Sequence, residues 1–198
     1  MPVIEFKQLV GGTMNDFMIN DDYRLQLKRD DKHAGLNRVA VGPGMVEIYR
    51  LATKVCHGVG IDIGASVNST DSSLGFPGSI PVDTALPGSG SATQLLQGDA
   101  SMDYVFSSHC LEHLDDPEQC VREIYRVLKP AGVVFLYLPH PGSQFRWDPK
   151  MYEAARVAHK WQPTPGSVSR LLRMNDFAVQ YCEYEADQLG SFAVIASK

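Results

Sequence analysis

DYVFSSHCLEHLDDPEQCVREIYRVLKPAGVVFLYLPH, Asp103 to His140, decides the fold. Asp103–Ser107 opens it as a short apolar strand. Pro117 to Lys129 then reads as a helix. Asp116 can cap it, Pro117 suits the first helical position, and Gln119 stands where it can complete a capping box. Cys120, Val121, Ile124, Val127 and Leu128 recur at helical spacing and form one apolar stripe. Glu118 and Arg122, four apart, can pair on the wet face. Lys129-Pro130-Ala131-Gly132 stops the helix. Val133–Leu138 follows as a nearly all-apolar strand between Gly132 and Pro139. Strand, helix, strand in this order is a βαβ unit, so the two strands are expected to lie parallel.

The same pattern extends in both directions. Gly60-Ile61-Asp62-Ile63-Gly64 is an apolar run ending in glycine, as buried parallel strands often do. Ile80–Asp83 is a weaker strand. Ala178–Cys182 and Phe192–Ala196, joined by a polar connection, form a closing antiparallel pair. Further helices are expected over Ser167–Met174 and Tyr152–His159. The fold class is therefore α/β: a Rossmann-like, doubly wound, mostly parallel sheet with a C-terminal antiparallel strand pair. Ser66–Ser91 is rich in Gly, Pro, Ser and Thr and resembles a linker, but its flanks belong to one sheet. Residues 1–198 are read as a single domain. It has an N-terminal extension or lid over 1–55 and a core over 58–198, with Tyr23–Arg29 a candidate piece of the lid.

Composition narrows the function classes. The chain has 198 residues, 44% hydrophobic and 21% charged, which is ordinary for a globular domain with a real core. A net charge of −5 argues against a nucleic-acid partner, which would need a basic face. No apolar run approaches the ~20 residues that span a bilayer, and the N-terminus lacks a signal-peptide layout. A cytoplasmic protein is expected. Cys56, Cys110, Cys120 and Cys182 are scattered without a C-x-x-C pair. Reduced thiols are expected in place of disulfides or thiolate zinc.

Ligands of doubly wound sheets sit at the carboxyl ends of the strands. Three groups fall there. Asp62-Ile63-Gly64-Ala65-Ser66 ends the first strand, where glycine lets a backbone approach a ligand closely. Asp83 ends the next and can accept from both ribose hydroxyls of a nucleotide-like ligand; equally, it can be a turn aspartate. Ser107–Leu114 crowds polar groups after the third strand. A Ser108/His109 hydrolase is disfavoured, because neighbouring residues on a strand point apart and no Gly-x-Ser-x-Gly elbow exists. His109 and His113, four apart, are not His-Glu-x-x-His and show no third ligand, so no metal is expected. Gly58-x-Gly60 with Gly64 has the wrong spacing and order for a dinucleotide fingerprint.

The Asp103–His140 run resembles the middle of the class I S-adenosylmethionine-dependent methyltransferases, especially their methyltransferase-11-like group. That group shows a strand, a His-x-Leu-Glu-His segment, an Asp-Pro helix start and an Arg-Val-Leu-Lys-Pro-Gly-Gly stop. Here Arg126–Gly132 fills the last role. Weaker resemblance runs from about Gly58 to the C-terminus. It implies S-adenosylmethionine as cofactor. Asp62, Gly64, Ala65 and Ser66 fall on the first cofactor loop and Asp83 on the ribose acid. Ser91 and Ala92 fall on the adenine position and Ser107 near the methionine end. Two departures stand out: Gly64-Ala65-Ser66 replaces Gly-x-Gly, and Ser91 replaces the adenine acid.

Methyl transfer is in-line displacement at a sulfonium methyl, so positioning dominates. A base is needed only if the acceptor must lose a proton. His140 and His109 are the catalytic candidates, each also readable as a turn residue. The Pro141–Trp161 stretch, with Phe145, Arg146, Trp147, His159, Lys160 and Trp161, reads as an acceptor loop or as packing. The expected acceptor is a small molecule or glycan, with no membrane partner and a homo-oligomer left open. The alternatives are an inactive methyltransferase-like partner module, favoured by the two departures, and a nucleic-acid methyltransferase.

Overall fold

The computed structural model describes residues 48, 51–65, 76–143, 147, 159–187 and 190–198. The strands are β1 (Gly60–Ile63), β2 (Ile80–Val82), β3 (Gly90–Ser91), β4 (Gln94–Leu95) and β5 (Met102–Ser108), then β6 (Leu128–Pro139), β7 (Ala178–Cys182) and β8 (Ser191–Ser197). The helices are α1 (Pro117–Val127) and α2 (Pro165–Met174), with a 3-10 turn at Leu111–His113. Six strands form one sheet in the order β2-β1-β5-β6-β8-β7. The β1, β2, β5 and β6 pairings are parallel, while β8 runs antiparallel to both β6 and β7. This is the expected α/β sheet with its closing antiparallel pair. β3 and β4 form a separate antiparallel hairpin.

Side chains alternate across the strands, which sorts the core into two layers. Ile61, Ile63, Val105, Val134 and Leu136 meet the buried stripe of α1 and Val168 and Leu172 of α2. On the opposite face Tyr104, Phe106, Phe135 and Tyr137 meet Phe76, Ile48, Leu51 and Ala52. The chain ahead of β1 therefore contributes to the core. The expected helix at Tyr152–His159 falls almost wholly outside the described residues, as do Tyr23–Arg29.

Two local expectations are corrected. α1 ends at Val127 rather than Lys129, because Leu128 turns extended and pairs with Met102. Asp116 caps the helix by accepting from the Gln119 N–H at 2.8 Å, but the capping box does not close. The Gln119 side chain instead donates to Thr93 O and accepts from Arg122. The Glu118–Arg122 pair forms as expected.

Candidate functional site

The carboxyl ends of β2, β1, β5 and β6 make one edge, and the sequence candidates line it in that order. At the end of β1, Gly64 adopts φ +80°, a left-handed conformation open to glycine. A Cβ there would also lie 2.7 Å from the Cys110 Cβ, so two constraints fix this glycine. The Gly64 N–H donates to Val82 O at 2.8 Å, and that of Ala65 reaches the same oxygen at 3.5 Å. The β1 and β2 ends are thus tied together. Ser66 lies outside the described residues.

Asp83 stands one residue past β2. Its Oδ1 accepts the Ala85 N–H at 2.9 Å, and Oδ2 has no hydrogen-bond donor among the described residues. Ser89 Oγ clamps the loop, accepting from the Asp83 N–H and donating to Asp83 O. Ser91 and Ala92 lie on the β3–β4 hairpin, which α1 holds by its polar side. Glu123 accepts from the Leu95 N–H at 2.8 Å, and Arg126 donates to Leu95 O, Gln97 O and the Asp99 carboxylate. Sequence reading missed Arg126 and Glu123 as positioners of the β3–β4 hairpin. Their three-residue spacing was a visible signal, but their target was not.

Asp62 is buried within β1 and accepts the Phe76 N–H at 2.7 Å. Its carboxyl is pushed up to about 7, first by burial and then by the Asp83 charge, against the pull of that hydrogen bond. The ordinary value is about 3.9. Between these values the folded chain holds a proton that the unfolded chain releases. The stabilisation is therefore full below the ordinary value and lost as pH rises through about 7. Asp62→Asn is expected to flatten the fall in urea-unfolding free energy between about pH 4 and 7, by up to about 1.4 kcal/mol per pH unit. Glu183, pushed up to about 7 by burial and Asp187, supplies a residual slope of the same sign. An unchanged slope in the variant would mean that Asp62 is ionised in the folded protein.

Ser107, buried near the end of β5, donates to Ile63 O at 3.0 Å and so braces β5 against β1. His109 follows with φ +51°. Its ring stands edge-on to Tyr137, with Nδ1 3.3 Å from Glu112 Oε1 and Nε2 3.2 Å from Ser191 Oγ. Beyond β6, His140 Nδ1 accepts the Gly142 N–H at 3.0 Å, which makes Nε2 the protonated nitrogen facing Tyr184 O at 3.1 Å. Both histidines thus have both ring nitrogens engaged. The two tryptophans of the 141–161 stretch are tied to backbone carbonyls: Trp147 to His140 O and Trp161 to Leu111 O. Cys110 is pushed up to about 12, chiefly by burial and then by the Glu112, Asp83 and Asp62 charges, so it stays a thiol.

The sheet order, parallel through β2, β1, β5 and β6 and closed by the antiparallel β8 and β7, is that of a Rossmann-like methyltransferase fold. The methyltransferase-11 family model, described as a methyltransferase domain, matches residues 39–136. The chain belongs to the class I S-adenosylmethionine-dependent methyltransferases, and S-adenosylmethionine is its cofactor. Phosphoethanolamine N-methyltransferase 2 of Caenorhabditis elegans is 41% identical over 60 residues. That match covers 30% of this chain but only 14% of the relative's length.

Among solved structures, the 1,6-didemethyltoxoflavin-N1-methyltransferase of Burkholderia thailandensis was determined with 1,6-didemethyltoxoflavin and S-adenosylhomocysteine bound. It is similar with TM-score 0.60 and 16% identity, over 91% of each chain. A possible histamine N-methyltransferase of Thermotoga maritima is similar with TM-score 0.56 and 15% identity, over 90% of this chain and 97% of its own. At such identities these two likenesses show the fold. No helix among the described residues is long and apolar enough to cross a membrane.

Proposed function

We propose that the chain moves a methyl group from S-adenosylmethionine to a small-molecule or glycan acceptor over the ends of β5 and β6. The observation that carries this reading is the Asp83 carboxylate, one residue past β2 and beside the Gly64 turn. A carboxylate at that place, with one oxygen that meets no donor among the described residues, suits the paired hydroxyls of a ribose. The residues present therefore fit the cofactor at its ribose end. At the adenine end, Ser91 offers a hydroxyl in place of the family's acid.

When bound, S-adenosylmethionine supplies an electrophilic methyl group on a sulfonium. Asp83 would hold the ribose, and Asp62, Gly64, Ala65 and Ser66 would shape the adjoining loop. Ser91 and Ala92 would border the adenine, and Ser107 the methionine end. His140 would border the acceptor. With its Nδ1 lone pair on the Gly142 N–H, it serves as a base only if that turn opens. His109 would act from behind, through its contact with Glu112. The partial likeness to a phosphoethanolamine methyltransferase supports a small polar acceptor. The reading carries with it a cytoplasmic protein, as a monomer or homo-oligomer, and places nucleic acid outside its acceptors.

Calorimetric titration with S-adenosylmethionine and S-adenosylhomocysteine tests the reading, with micromolar binding expected. No binding to folded protein would favour the inactive partner module, which the Gly64-Ala65-Ser66 loop and Ser91 also suit. Once an acceptor is known, unchanged turnover in His140→Ala would remove His140 from the mechanism.

A further inference from the structure

Beyond the cofactor edge, the turn after β5 and the segment ahead of α2 bring one carboxylate and two imidazoles together. Glu112, His113 and His159 each offer one ligand atom, and these atoms all lie within 4.8 Å of one another. Glu112 is fully buried, with Oε1 3.3 Å from His109 Nδ1 and 3.8 Å from His113 Nε2. The His159 ring packs between those of His113 and Trp147, with centroids at 4.8 and 4.7 Å. Two hydrogen bonds to backbone carbonyls staple the segments: the Lys160 N–H donates to Glu112 O, and the Trp161 indole donates to Leu111 O.

A carboxylate taken out of water needs compensating positive charge. Among the described residues, no Lys or Arg side chain pairs with Glu112; imidazoles surround it. Two imidazoles and a carboxylate suit Zn2+ and its first-row neighbours, whereas Mg2+ and Ca2+ favour oxygen-only sets. We propose that Glu112, His113 and His159 bind one divalent transition-metal cation of the Zn2+ class, with His109 holding the Glu112 carboxylate from behind. Bonds of ~2.0–2.2 Å put tetrahedral ligand atoms roughly 3.3–3.6 Å apart, so the cluster draws in by about 1 Å on binding. Three protein ligands leave a fourth position for water or an acceptor oxygen. Only that last role rests on the methyl-transfer reading; the site itself does not. Sequence reading expected no metal because His159 lies far along the chain from the Glu112-His113 pair.

The test strips the full chain with a chelator and titrates it with Co2+ alone, followed by visible absorption, then with Zn2+ in competition. One Co2+ per chain is expected, displaced by Zn2+. His113→Ala and His159→Ala should each weaken Co2+ binding by at least about 10-fold, and His109→Ala by roughly 10-fold through the displaced carboxylate. S-adenosylhomocysteine affinity on the same two ligand variants should stay at the parent value, which separates this site from the cofactor edge. Glu112 is buried, so Glu112→Gln is read only beside the variants of the half-buried histidines. No Co2+ uptake by the parent chain, or undiminished uptake in both ligand variants, overturns the site and leaves a His–Glu–His cluster held by ion-pair contacts.

Discussion

Asp83→Ala is expected to weaken S-adenosylhomocysteine binding by about 100-fold or more. A hydrogen bond to a charged group contributes ~1.5–3 kcal/mol, and two ribose hydroxyls make two of them. About 1.4 kcal/mol corresponds to a tenfold change in affinity. The loss should appear in the dissociation constant measured by calorimetry, with little change in folding. Asp83 also holds its own turn through the Ala85 N–H at 2.9 Å, so alanine removes a local tie as well. Asp83→Asn separates the two roles. It keeps an acceptor for Ala85 and removes the charge, so it should fall between parent and alanine variant. Parent-like affinity in both variants would leave Asp83 as a turn residue and remove the ribose assignment.

Legibility in the sequence followed the range of the interactions. The βαβ unit was readable because strand and helix periodicities, a cap and a stop signal are all local. The Val133–Leu138 part of β6, and β8, were readable for the same reason, being almost uniformly apolar; Leu128–Gly132, read as the end and stop of the helix, belong to β6 instead. Gln119 shows where local reading fails. Its spacing from Asp116 fits a capping box, but a nearby carbonyl, Thr93 O, competes for its amide. The β3–β4 hairpin was not foreseen as structure, since two-residue strands carry no periodicity. What holds it is Arg126, whose acceptors, beside its helix neighbour Glu123, are at Leu95, Gln97 and Asp99, far back in the chain. His109 and His140 were visible at strand ends. Their engagement by Glu112, Ser191, Gly142 and Tyr184 depends on the tertiary arrangement. The Glu112–His113–His159 cluster was hidden by the same distance in sequence.

Phe106→Ala should produce the largest loss of stability among single changes near the site. The ring is fully buried and stacks between Phe76 at 4.7 Å and Phe135 at 5.5 Å between centroids. Its strand, β5, lies between β1 and β6, so neither sheet edge can move in to fill the space. Removing a buried phenylalanine ring costs ~3–5 kcal/mol when the surroundings relax only partly. For a chain of this size each kcal/mol lowers Tm by ~2–4 °C, so a fall of roughly 6–20 °C is expected by calorimetry. A loss below about 1.5 kcal/mol would mean that this aromatic face collapses readily onto the gap.

The same change should also reach the cofactor edge. Phe76, freed on one side, is the residue whose N–H Asp62 holds, and Ser107, the next residue along β5, braces β1. Weaker S-adenosylhomocysteine binding is therefore expected in Phe106→Ala even at temperatures where it remains folded. Val105→Ala, one residue away on the opposite layer, should lower Tm with a smaller effect on binding. If both variants weakened binding equally, the effect would come from general loosening of β5 rather than from the aromatic layer under the Asp62 loop.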